Sequence, residues 1–378
     1  MKASHFCPRA LALLLAALLF ALSFAACGGR QGKTLLTMDT EGTAATFSVN
    51  HYQLLLSRLR GKFVSGGISN GAGSADQAAF WDMQGYLDGG DTLKTWDAYY
   101  REQVLENCKT YLVALWLFEK NGLSLSDETR AAIEQEMSDI LAYHADGSKT
   151  KLNAVLQGYG VNYEMLKSFY ETEAKAEAVL RFLYGDGASL LDATVKDPYL
   201  SANYYRFKRI LFSFYREVDG ESVAMTDAEK EDIRTKANAM LAALQDKTEA
   251  EFEAAATKEN GADDYTDGYY LPRSGSVGNN SEQVAFFAAV SERLSEMEIG
   301  EITLIETADG IQLIRRYEPT PGAYDLEVNA VWFSSFTTNL MAELFEKLCK
   351  TYFDQITVDE AILAGAPKIK EVEPNYYF

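Results

Sequence analysis

The stretch from Tyr204 to Glu318 constrains this chain most. It opens on a strand-like run, YYRFKRILFSFY, and closes on EITLIETADGIQLIRR. Between them lie a charged helical segment from Thr226 to Leu244, a second short helix around Phe252, an acidic loop with glycines (ENGADDYTDGYYL), and a further helical segment. The order is strand, helix, helix, loop, helix, strand, turn, strand. Thr226 and Glu229 stand at the spacing of a capping box, in which each side chain satisfies the other residue's backbone N–H. Ile233, Ala237, Met240, Leu241 and Leu244 recur at helical spacing and predict the buried face of that helix. Asp309-Gly310 suits a tight turn between Ile302–Ile305 and Ile311–Ile314.

With 378 residues the chain is long enough for two or three domains, and 47% hydrophobic residues can build a sizeable core. A formal charge of -20 makes nucleic acid and anionic lipid surfaces poor partners. Beyond the leader the histidines are His51 and His144, which argues against a histidine-based metal site or a Ser/His/Asp triad. No Walker-type loop, dinucleotide fingerprint or CxxC pair occurs, so no cofactor is expected. The DDYTDG run around Asp267 lacks the ligand spacing of a calcium loop and reads as a solvated loop.

Residues 1–26 carry Lys2 and Arg9, then an apolar run from Ala10 to Ala26, and no acidic residue. This reads as an export signal. It ends in FAAC followed by Gly28 and Gly29. Small residues directly before Cys27 resemble the bacterial lipoprotein cleavage box, with Phe24 where Leu is usual. That resemblance implies cleavage before Cys27, a diacylglycerol on its sulfur, and a chain held at the extracytoplasmic face of the cell membrane. Residues 27–37 are then a tether. A secretory signal with an incidental cysteine and an uncleaved membrane helix are the competing readings.

From residue 38 to 184 the pattern is mainly helical. ATFSVN reads as a short strand leading into a helix that Asn50 caps, with Leu54, Leu55 and Leu59 on one face. Gly61 to Ala75, rich in Gly and Ser, reads as a loop. Trp96 to Lys120 is a long helix ended by Asn121-Gly122, with Val104, Cys108, Leu112, Leu115 and Phe118 as its apolar stripe. Ser126 caps the next helix, and another runs from Asn162 to Leu183. Residues 185–203, with Pro198, read as a linker. After Pro319 and Pro321 a helix is expected from Val328 to Phe353, burying Phe336, Leu340, Leu344, Leu348 and Tyr352. Cys108 and Cys349 both fall on apolar helical faces, as a disulfide or as two buried thiols.

The element order of residues 204–318, with KRILF at its start and IGEITLIETADGIQLIRR at its end, resembles the parvulin-type peptidyl-prolyl isomerase domain. The flanking segments, NGLSLSDE and YGVNYEMLK among them, resemble the helical domain of SurA/PrsA-like extracytoplasmic foldases. The implied fold is α+β. A helical chaperone-like domain formed from both chain ends (38–184 and 319–378) carries an inserted parvulin-like domain with a small antiparallel sheet flanked by helices. Parvulin-type domains place one histidine in a motif like HILF, a second in a motif like GYHII, and a Cys or Asp in the loop between. Here those positions hold Arg209, Gln312, and Glu259, Asn260 or Asp263. Arg209 is always charged, and the protonation of Gln312 does not change. The resemblance therefore implies a foldase whose partners are unfolded or exported proteins and whose isomerase activity is weakened or lost. A working isomerase with altered residues and a non-catalytic surface lipoprotein are the alternatives.

Overall fold

The computed structural model describes residues 32–87, 89, 91–185, 190–260, 267–274 and 281–378. The leader, Cys27 and Asp263 lie outside them. The chain divides into two compact units, residues 1–186 with 343–378, and residues 187–342.

The first unit is built on a small antiparallel sheet and a set of helices. Strands β1 (Thr34–Thr40) and β2 (Thr43–Ser48) form a hairpin whose turn, Glu41-Gly42, has both residues at positive φ. Two-residue ladders follow: β3 (Ser69–Asn70) with β4 (Gly73–Ser74), and β5 (Gln84–Gly85) with β6 (Lys94–Thr95). The helices are α1 (Val49–Ser65), α2 (Ala78–Asp82), α3 (Trp96–Lys120), α4 (Asp127–Ala145), α5 (Lys149–Leu156) and α6 (Tyr163–Tyr184). Ser126 and Asn162 cap α4 and α6 by accepting from Thr129 N and Met165 N. The last strand of the chain, β13 (Ile356–Val358), pairs with β1 through Leu36↔Val358 and Met38↔Ile356. Cys108 and Cys349 are both buried free thiols.

Three expectations fail here. Residues 34–37 are strand rather than tether, because Leu35 and Leu36 are buried and Leu36 is paired on both sides. Ser48, not Asn50, caps α1, accepting from His51 N. Gly61 lies inside α1 instead of opening a loop. A Cβ there would stand 1.9 Å from the carbonyl oxygen of Asn375, so glycine admits the closing segment of the chain.

The second unit centres on a four-stranded antiparallel sheet ordered β10-β7-β12-β11. The strands are β7 (Tyr204–Ser213), β10 (Tyr269–Pro272), β11 (Ile302–Thr307) and β12 (Gly310–Tyr317), and a side hairpin joins β8 (Tyr215–Val218) to β9 (Glu221–Ala224). Around it lie α7 (Ala193–Asn203), α8 (Asp227–Leu244), α9 (Glu249–Asn260) and α10 (Ser281–Glu296). The period of two along β7 sorts its residues to opposite faces. Ile210 and Phe212 pack with Ala237, Leu244 and Phe252 of α8 and α9. Tyr205 and Phe207 pack with Val290, Leu294 and Met297 from α10 and the turn after it. The capping box at Thr226 and Glu229 is formed.

Two segments depart from their composition. Residues 193–203, read as linker, are helical despite Pro198, because Leu200 is buried and Tyr199 stacks edge-on against Phe336 at 5.3 Å. The helix expected from Val328 begins only at Phe336, as α11 (Phe336–Lys350). Before it Asn329 is fully buried and donates to Asp267 Oδ2 and to the Ala323 carbonyl, which holds residues 323–329 in short 3-10 turns. The short helix α12 (Glu360–Ala364) follows β13.

Candidate functional site

Arg209 and Gln312 come from adjacent central strands and meet. In the β7–β12 ladder Gln312 stands opposite Leu211 and Ile314 opposite Arg209, so Arg209 and Gln312 are diagonal neighbours on one face. Arg209 Nη1 donates to Gln312 Oε1 at 2.9 Å. The guanidinium also lies over the Tyr269 ring, 4.7 Å from its centroid, where the negative face of the ring favours a cation. On the other side of Gln312, Ile305 is its β11 partner. Gln312 is buried, at 6% exposure. Ile305 and Trp332 pack at the margin of the apolar cluster on this face. Trp332 was missed in the sequence because it falls in the stretch read as helix.

Glu259 is not part of this arrangement. Its Oε2 accepts from Lys236 Nζ at 2.5 Å, and Lys236 lies over the Phe212 ring. That places it with α8 and α9, whereas Arg209 and Gln312 belong to the face covered by α10. The chemistry open to the pair follows. The guanidinium is a permanent donor, and the Gln312 side-chain carbonyl already accepts from it. Residues 204–318 contain no histidine and no cysteine, so no side chain of this segment titrates near neutrality on its ordinary value. Among the described residues no group of three or more His, Cys, Asp or Glu could hold a metal ion.

A second polar centre ties this sheet to the segment after it. Asp267 accepts from Arg206 Nη2 at 2.9 Å, Tyr270 OH at 2.7 Å, Asn329 Nδ2 at 2.8 Å and Thr320 Oγ1 at 3.3 Å. Burial works to raise its pKa. The donors and the Arg206 charge outweigh it and hold the carboxyl below its usual range. The residue that composition assigned to a solvated loop is thus a structural anchor.

The first unit holds one strongly perturbed histidine. His51, at 3% exposure, has its pKa lowered from 6.5 to about 4 by burial, against which its bond to a backbone carbonyl works. Nε2 lies 3.2 Å from Met165 O, so it must carry the proton and donate. Phe47 and Phe169 meet the ring edge-on. A neutral imidazole between two phenyl rings is a packed core residue.

No family model and no curated protein matches the chain. Among solved structures it is similar to PrsA from Bacillus subtilis, at 17% identity over 76% of this chain and 89% of that one, with a TM-score of 0.21. The foldase protein PrsA from Lactococcus lactis is similar at 13% identity over 89% of this chain and 98% of that one, with a TM-score of 0.23. The foldase protein PrsA from Streptococcus pneumoniae is similar at 16% identity over 75% and 98%, with a TM-score of 0.21. TM-scores of this size carry no residue-by-residue correspondence. Among the described residues no helix is long and apolar enough to cross a membrane.

Proposed function

We propose that the chain is an extracytoplasmic foldase that holds unfolded or newly exported proteins, with prolyl isomerase activity weak or lost. In this reading residues 204–318 are a parvulin-like module inserted into a helical chaperone-like domain, and a lipid on Cys27 anchors the protein to the cell membrane. The observation that carries the catalytic half is the bond from Arg209 to Gln312. Isomerisation has a barrier of about 18–20 kcal/mol from amide resonance, and an enzyme must bind the twisted amide more tightly than the planar one. A fixed charge already committed to an amide and an aromatic ring leaves a surface that binds a peptide without favouring its twisted form.

The test uses the full chain in two assays. It should slow aggregation of a denatured protein, while cis/trans exchange of a proline peptide, followed by NMR, stays within about twofold of the slow uncatalysed rate. Fast exchange abolished by Gln312→Ala would show an active enzyme instead. Fatty-acid label that persists in Cys27→Ala would overturn the anchor.

A further inference from the structure

Among the described residues strand β2 is the outer strand of the first unit's sheet, with β1 as its one partner. A cleft of about 430 Å³ runs beside it, lined by residues 42–46 and Ser48. Side chains alternate between the two faces of a strand. Four consecutive strand residues, Thr43 to Thr46, on one cleft therefore put it along the open edge of the strand, not over a face. The opposite wall is one stripe of α6, where Ser168, Glu171, Thr172 and Lys175 repeat at i, i+3, i+4 and i+7.

An open strand edge presents a row of backbone N–H and C=O groups, and proteins usually guard it with charges, proline or a covering element. The β2 sequence, TAATFS, has neither charge nor proline. Apart from the β1 ladder, no backbone hydrogen bond engages residues 43–47 among the described residues. A second cleft of about 400 Å³ continues from the first, sharing Glu171 and Lys175 with it, and adds Phe118, Leu123, Leu125 and Ile133. Three acidic and three basic side chains line this path, Glu119, Glu134 and Glu171 against Arg130, Lys167 and Lys175. Glu119 is paired with Lys175 at 3.0 Å and Glu134 with Lys167, whereas no salt bridge reaches exposed Glu171, or Arg130, among the described residues.

We propose that this slot takes an extended segment of an unfolded polypeptide, which adds to β2 as a further strand of the sheet. Backbone hydrogen bonds supply the affinity, as in other strand-addition complexes. A Lys or Arg of the segment meets Glu171 where the two clefts join, and apolar side chains enter the second cleft. The identity of the partner as an unfolded client rests on the foldase reading.

The probe is a fluorescein-labelled, Val- and Thr-rich peptide with one Lys, bound to the full chain and read by anisotropy. Two copies of the peptide carry N-methyl groups on alternate residues, one in each register. Because only one set of amides faces β2, one copy should bind roughly tenfold or more weakly than the parent. Ser168→Trp, which fills the slot from α6, should weaken the parent peptide comparably without lowering the melting temperature. Equal affinity of both methylated peptides for the unmodified chain overturns strand addition, whether or not the tryptophan variant folds. A folded Ser168→Trp chain that binds as the wild type overturns the slot as the site. Failure of the full chain to slow aggregation, with peptide binding intact, would instead count against the foldase reading alone.

Discussion

The β2 edge in the first unit and the Arg209–Gln312 face in the second are both strand surfaces, and they differ in what their polar groups are doing. On the second, the polar side chains answer one another, Arg209 to Gln312 and to the Tyr269 ring. Toward the opposite face of the same sheet, where Arg206 and its partner Tyr270 point, the Asp267 centre gathers four donors from Arg206, Tyr270, Thr320 and Asn329. Along the first, the polar groups are those of the backbone itself, set against a cleft with no charge in the strand to guard them. Satisfied side-chain networks stabilise a fold and leave little for a ligand, whereas an open ladder has its recognition chemistry still unused.

The largest effect should come from breaking the satisfied side of this contrast. Asp267→Ala removes the acceptor that half-buried Arg206, Tyr270, Thr320 and buried Asn329 share, and should cost about 3 kcal/mol, since each polar group left unsatisfied costs about 1–3 kcal/mol. Denaturant unfolding of the full chain, followed through its tryptophans, checks this. The same measurement on Thr46→Ala, in the β2 edge, should show less than about 0.5 kcal/mol, as for ordinary surface changes. Comparable losses at both positions would erase the distinction between the two surfaces.

Much of the second unit was legible before its structure, and the reasons are local. The Thr226/Glu229 capping box, the buried stripe of α8 and the hairpin around Asp309-Gly310 are short-range signals, and each element formed near its expected place. What could not be read depends on distant partners. Leu36 is held in a central strand because β13, from the far end of the chain, pairs with it opposite β2. Gly61, inside a helix, is glycine because Asn375 packs where a side chain would stand. The break before Phe336 follows from Asn329, whose amide answers an aspartate 62 residues away. Within the candidate site, strand positions placed Arg209 and Gln312. Which face Glu259 would join depended on the packing of α9 and could not be read from its spacing.

A second effect, of similar size but confined to acid, concerns the slot's own side of the comparison. His51 lies in the lining of the β2 cleft. Its folded-state pKa of about 4 lies below the unfolded value of 6.5. Between those values the unfolded chain binds a proton that the folded chain does not, so stability falls as pH drops from 6.5 to 4. With 1.36 kcal/mol per unit, the loss amounts to about 3 kcal/mol. His51→Gln keeps a donor for Met165 O and should remove this part of the acid dependence while leaving the neutral-pH stability close to the wild type. Unfolding free energies at several pH values from 7 to 4 would show it. Parallel curves for the two proteins would mean that His51 titrates normally.

The smallest effect is expected where a sequence motif would suggest the largest. Arg209→His with Gln312→His places two imidazoles on the α10 face, but Glu259 stays with Lys236 on the α8 and α9 side. Prolyl exchange by this double variant should remain within about twofold of the parent, since Glu259 is already engaged by Lys236. A large rise would mean that the two strand positions alone set the activity.

The contrast between the two surfaces is tested most directly by hydrogen exchange on the full chain, with and without a denatured client protein. Slowed exchange of backbone amides within Thr43–Phe47 is expected when client is present, with no comparable change across β7 and β12. Protection confined to residues 204–213 and 310–317, with β2 exchanging as in the free chain, would contradict it.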